Sequence, residues 1–245
     1  MIRGVIPAAP VRYHGAMRWL VACLAIAGCA RAGKDNVIVG GLIDAQPRVT
    51  LTQTASNEIV DRNSFGCLQS GFTRQNSYYR VFTLAAFGIT QPLRISQVDF
   101  GIQQATAGQG AASQPATVRI GTYTGAPGTM LDLAEVHPIS STEIQIANIP
   151  TGSAAMMSVP IEAAIAPADS AIVELEIPDG FTQNNVFLVG TSTASETAPG
   201  YTLGADCGIT PPTSMQSVAD AKSFGTVHLI MTVTGTLGAV GDDPS

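Results

Sequence analysis

The sequence predicts an all-β protein: an antiparallel β-sandwich of jelly-roll-like type, with at most one short helix near 214–222. Three observations carry this expectation. Short β-branched and aromatic runs recur between punctuating Gly and Pro residues, of which the chain holds 25 and 15. Several of these runs alternate apolar and polar residues, the pattern of strands half-buried against a core. Amphipathic helical spacing is almost missing. Many short strands with little helix describe a sandwich.

Residues 1–28 come first and stand outside that pattern. From Met17 the chain passes through Arg18, an apolar stretch over 19–27, and then Gly28-Cys29. A basic start, a short apolar run and small residues before a cut describe a secretory signal. The run is about ten residues, too short for a hydrocarbon core that needs about twenty. Arg3, Arg12 and Arg18 keep the whole region positive, so Met1 and Met17 both serve as starts. Ile26-Ala27-Gly28-Cys29 resembles the lipobox of bacterial lipoproteins. The resemblance implies that Cys29 is lipidated, becomes the first residue after cleavage, and holds the protein to a membrane through its acyl chains. Two or more chains anchor stably where one does not. Ala30, in place of the Asp that retains such proteins at the inner membrane, implies the outer membrane. A plain signal peptide ending at an unmodified cysteine is the alternative.

Cleavage before Cys29 leaves 217 residues of the 245, enough for one large β domain. All 18 acidic residues and nine of the 12 basic ones lie in that remainder, for a formal charge of −9. Its basic residues are scattered singly between Arg31 and Lys222, which argues against nucleic acid as a partner. Of four cysteines, Cys23 leaves with the signal and Cys29 is the lipid acceptor, so Cys67 and Cys207 remain. In an oxidising compartment two remaining cysteines read as one disulfide; two buried thiols are the alternative.

Residues 29–46 read as a tether, with Gly33, Gly40 and Gly41. A single sandwich domain is expected over 47–238, followed by a tail over 239–245. Arg48-Val49-Thr50-Leu51-Thr52 alternates as a first strand, and 54–71 is irregular, with Cys67 inside it. The run 78–84 is rich in Tyr, Val and Phe, a strand by propensity. In 93–102, Val98, Phe100 and Ile102 share one parity and Leu93 and Ile95 the other, which predicts a bulge or burial on both sides. Further strands are expected at 117–124, 131–139, 143–147, 156–163, 171–177, 186–192 and 227–237. No internal repeat or second compositional regime is visible.

Tyr78-Tyr79-Arg80-Val81-Phe82, Val98-Asp99-Phe100-Gly101-Ile102, Asp206-Cys207-Gly208-Ile209-Thr210 and His228-Leu229-Ile230-Met231-Thr232-Val233 together resemble secreted bacterial β-sandwich modules attached to extracellular or surface proteins. The resemblance spans roughly 64–236. It implies an extracellular, non-catalytic module and brings no site residues with it.

Nothing in the sequence assembles into catalytic machinery. Beyond the signal the histidines are His137 and His228. Gly190-Thr191-Ser192-Thr193-Ala194 lacks the last glycine of a nucleophile elbow. Gly108-Gln109-Gly110 lacks the third glycine of a nucleotide cradle. No zinc-type His or Cys spacing occurs, turn chemistry explains Pro178-Asp179-Gly180 without a metal, and no cofactor is expected. Glu174 and Glu176 form the obvious carboxylate pair, read as a solvated strand face. Tyr78 and Tyr79 point to opposite faces of one strand, so one of them could stack on a sugar or a partner, or simply cap the sandwich edge. The sequence thus reads as a lipid-anchored, disulfide-stapled cell-envelope module with a structural or adhesive role and a glycan or surface protein as partner. A carbohydrate-binding module is the alternative, and an envelope hydrolase with dispersed carboxylates the third reading.

Overall fold

The computed structural model describes residues 46–238; Cys29 and the expected signal, tether and tail boundaries lie outside that range or at its margins. The alternating segments form antiparallel strands. One sheet follows the order β1 (Arg48–Leu51), β15 (Met231–Leu237), β5 (Leu93–Thr106) and β10 (Val186–Val189), and β8 (Ala155–Ile165) also pairs with β5. The other has six strands in the order β13 (Ile209–Ser214), β12 (Gly200–Gly204), β4 (Asn76–Thr83), β9 (Ser170–Ile177), β6 (Ser113–Tyr123) and β7 (Val136–Ala147). Two small pairs complete the set: β2 (Leu68–Gln69) with β3 (Phe72–Thr73), and β11 (Thr191–Ser192) with β14 (His228–Leu229). The helix is α1 (Met215–Ala221), begun by Ser214, whose hydroxyl accepts the Ser217 N–H as an N-cap.

The core lies between the two large sheets. Tyr78 and Phe82 of β4, Val118 and Ile120 of β6, and Val173 and Leu175 of β9 meet Val98, Phe100 and Ile102 of β5, Val159 of β8 and Val233 of β15. Period-two alternation does this: every second residue of each strand reaches the shared interior. The parity change in β5 is a bulge against β15, since Gln97 pairs with Thr234 but Ile95 with Gly235, so Ser96 is the extra residue.

A smaller apolar cluster sits on the outer face of the six-stranded sheet. Tyr79 and Val81 of β4, Tyr123 of β6, Ile172 of β9 and Tyr201 of β12 are gathered there under Leu131. Leu131 belongs to a strap, 124–135, that leaves β6 and crosses the sheet. On the far edge the Leu131 N–H donates to Pro212 O and the Ser214 N–H to Thr129 O, and Tyr201 Oη donates to Gly128 O. The strands expected at 131–139 and 143–147 are therefore one strand, Val136–Ala147, preceded by the strap.

Candidate functional site

Three of the clusters that charged and polar side chains form among the described residues contain residues singled out in the sequence. The first is the outer face of the six-stranded sheet, beyond the strap. Outward-facing Glu174 and Glu176 on β9 lie beside Arg119 on β6, because Arg119 is the register partner of Glu174. Arg119 donates to Glu174 Oε2 at 3.0 Å and to Glu176 Oε2 at 2.5 Å. Tyr79 Oη donates to Glu174 Oε1 at 2.8 Å, and Gln75 Nε2 to Glu176 Oε1 at 2.9 Å. Partial burial pulls the Arg119 guanidinium down, but its hydrogen bonds to Glu176 and Glu174 outweigh that and hold it above its ordinary value. Burial, reinforced by Glu174, pushes the Tyr79 hydroxyl up. The result is a neutral phenol, a fixed cation and two carboxylates in one preorganised ridge.

Two hollows flank this ridge. A notch of about 30 Å³ has Tyr79, Gly121, Val136, Pro138 and Ile172 as walls, with Arg119 and Glu174 at its polar end. It opens where β6 and β7 slip register: Ile120 pairs with Ser140 but Gly121 with Pro138. Only glycine fits at 121, since a Cβ there would stand 2.5 Å from His137 O. A wider hollow of about 280 Å³ lies on the other side, with Thr117, Glu143, Gln145, Glu176 and Pro178 in its walls.

The second cluster is inside the sandwich. Arg80 points inward from β4 and is fully buried. Its guanidinium donates to Gln53 Oε1 at 3.0 Å, Ala198 O at 3.1 Å, Glu196 Oε2 at 3.1 Å and, closely, to Leu229 O. Arg80 Nε is buried without a hydrogen-bond partner. Burial pulls the guanidinium down against the opposing field of Glu196. Burial likewise pushes the Glu196 carboxyl up, against the pull of Arg80 and His228. His228 stands behind this pair, with Nε2 3.7 Å from Glu196 Oε1 and Nδ1 2.5 Å from Ala194 O. Ser192 is the cross-strand partner of His228, a juxtaposition that the sequence did not announce. Its hydroxyl is buried and accepts the Ala194 N–H at 3.1 Å. The carbonyl of Ala194 can only accept, so Nδ1 is its donor. The serine hydroxyl closes a local turn, the histidine fastens that loop to β14, and the two side chains share no hydrogen bond.

The third cluster surrounds the disulfide. Cys67 and Cys207 are joined, with Cα atoms 5.6 Å apart. Gly204 permits the approach, since a Cβ there would meet Cys67 Cβ at 2.9 Å. Beside it Arg74 binds Asp206 at 2.7 Å and Asp179 at 3.1 Å and lies over the Phe181 ring. Asp179, read in the sequence as a turn residue, is a turn residue with an ion-pair partner as well: its carboxylate also accepts the Phe181 N–H.

The stacking role that the sequence left open to Tyr78 or Tyr79 is corrected by this geometry. Tyr78 is 0 % exposed in the core and Tyr79 is 3 % exposed under the outer-face cluster, so neither ring is exposed enough for a sugar to stack on it. Their aromatic surface was better used in packing than in stacking. Glu174 and Glu176 do share a face as expected, but Arg119 clamps both. Arg119 escaped the sequence reading because only strand register, and no spacing, brings it to them.

No family model and no curated protein matches the chain. Among solved structures it is similar to the cysteine protease and lectin-like domains of Cwp84, a surface layer associated protein of Clostridium difficile, with a TM-score of 0.43 and 10 % sequence identity; the likeness covers 68 % of this chain and 33 % of that chain.

Proposed function

We propose that the protein is a cell-envelope surface module, held to a membrane by lipid on Cys29 and working by presenting a rigid β-sandwich face rather than by catalysis. The observation that carries the reading is the Cys67–Cys207 disulfide, which belongs to an oxidising compartment. The engagement of the ionisable side chains supports it: Glu174, Glu176 and Glu196 each serve an arginine, and His228 serves a backbone carbonyl. The partner on this reading is a glycan or surface protein, and the outer membrane is the expected address. Cys29→Ala should abolish incorporation of radiolabelled palmitate and shift the protein out of the detergent phase. Undiminished labelling of that variant would remove the anchor from the proposal.

A further inference from the structure

Resting on the surface-module reading, we propose that the outer face of the six-stranded sheet holds a subsite for an N-acetylated hexosamine of an envelope glycan. An acetamido group has three parts: a methyl, a carbonyl that accepts and an N–H that donates. The notch offers a matching site for each. Its walls at Val136, Pro138 and Ile172 are apolar and its volume of about 30 Å³ suits one methyl-sized group. At its polar end stand a donor and an acceptor side by side, Arg119 and Glu174.

Both groups have capacity left. Arg119 carries five N–H donors, and its bonds to the two glutamates use two of them. Its side chain is 36 % exposed. Each Glu174 oxygen accepts one hydrogen bond, from Tyr79 or from Arg119, and has a second lone pair. These internal bonds fix the donor and acceptor before a ligand arrives, which lowers the ordering cost of binding. The register slip at Gly121 supports the assignment, because bulges re-aim strands beside functional sites.

Charge narrows the ligand class. Arg119 faces two carboxylates, and Glu143 adds a third in the wider hollow. An anionic ligand meets repulsion there, whereas a neutral sugar finds acceptors for its hydroxyls. The wider hollow, with Thr117, Glu143 and Gln145 in its walls, takes the next ring of the chain.

The test titrates the purified full chain in detergent with chitotetraose, with cellotetraose, which lacks the acetamido groups, and with a disaccharide of N-acetylglucosamine and N-acetylmuramic acid. Chitotetraose should bind at least about tenfold more tightly than cellotetraose, a difference expected for a satisfied charged hydrogen bond. The muramic disaccharide should bind more weakly than chitotetraose, because it is shorter and brings a carboxylate to hollows lined by Glu174, Glu176 and Glu143. Val136→Phe, which fills the notch, and Glu174→Gln, which removes the charged acceptor, should each lower chitotetraose affinity about tenfold with the melting temperature kept. Equal binding of chitotetraose and cellotetraose, no binding of either, or full binding by Val136→Phe would each overturn the subsite. Cys29→Ala fractionation separates the two failures: a lipid-anchored protein that ignores chitotetraose loses the subsite and keeps the module.

Discussion

Arg80 is the residue on which the interior turns. A guanidinium between two sheets of Val, Ile and Phe is costly to desolvate, and it is kept by four acceptors, one of them the Glu196 carboxylate. Those acceptors come from the segment after β1, the loop before β12 and β14. One side chain therefore joins three stretches of chain to β4. Arg80→Met should destabilise the protein by about 3–5 kcal/mol at neutral pH, because it strands a buried carboxylate and two carbonyls. The pH dependence has a definite sign. Burial already raises the Glu196 carboxyl above 4.5, and loss of Arg80 raises it further. A carboxyl raised on folding costs stability as pH rises through its folded value. The deficit of Arg80→Met should thus be largest at neutral pH and shrink as the pH falls toward 4.5. Urea unfolding of both proteins across that range measures it; a deficit that grows on acidification would mean that Glu196 is not the charge left behind.

At the scale of elements, the strap over 124–135 separates what the sequence showed from what it hid. Leu131 and Leu133 alternate like a strand, and the sequence reading placed them in one. In the structure Leu131 is buried against Tyr79, Tyr123, Ile172 and Tyr201, while Leu133 stays exposed. The deciding feature is a second apolar surface on the outer face of the sheet. That surface exists only once β4, β6, β9 and β12 lie side by side. Strands with alternation and β-branched residues, such as β4, β5, β9 and β15, were legible because the core between the sheets selects their pattern. The hairpin of β12 and β13 was not, because Gly200, Gly204, Pro211 and Pro212 punctuate it like loop, and proline is tolerated on an edge strand. The same rule governs the outer-face ridge: Glu174 and Glu176 were visible, and Arg119 was reachable only through register. Leu131→Ala should cost about 2–5 kcal/mol by emptying the centre of the outer cluster, read by denaturant unfolding. A cost near zero would show that the strap lies on the surface without being held by it.

Over the whole described chain, two devices close the fold. The first and last strands pair directly, Arg48 with Thr236 through Leu51 with Val233, so hydrogen bonds hold the ends together. The disulfide fastens a different place: it ties the residue before β2 to the turn between β12 and β13, at the rim of the other large sheet. The sequence reading put the bridge between early and late segments, and that is where it lies, but strand pairing does the work of joining the ends. The two devices therefore act on different sheets, and losing one leaves the other intact. The bridge spans a sequence separation of 140, a long loop whose closure limits the freedom of the unfolded chain. The residues beside it have further partners: the Cys67 N–H donates to Asn76 Oδ1 at 2.6 Å and Arg74 holds Asp206. The folded rim should consequently survive reduction, with the loss falling on stability rather than on structure. Cys67→Ser with Cys207→Ser should lower the unfolding free energy by about 2–5 kcal/mol while the circular dichroism of the folded state is unchanged. Unreduced protein should give one cross-linked peptide pair by mass spectrometry. Two alkylatable thiols in protein taken from the envelope would remove the staple, and with it the chief support for an oxidising address.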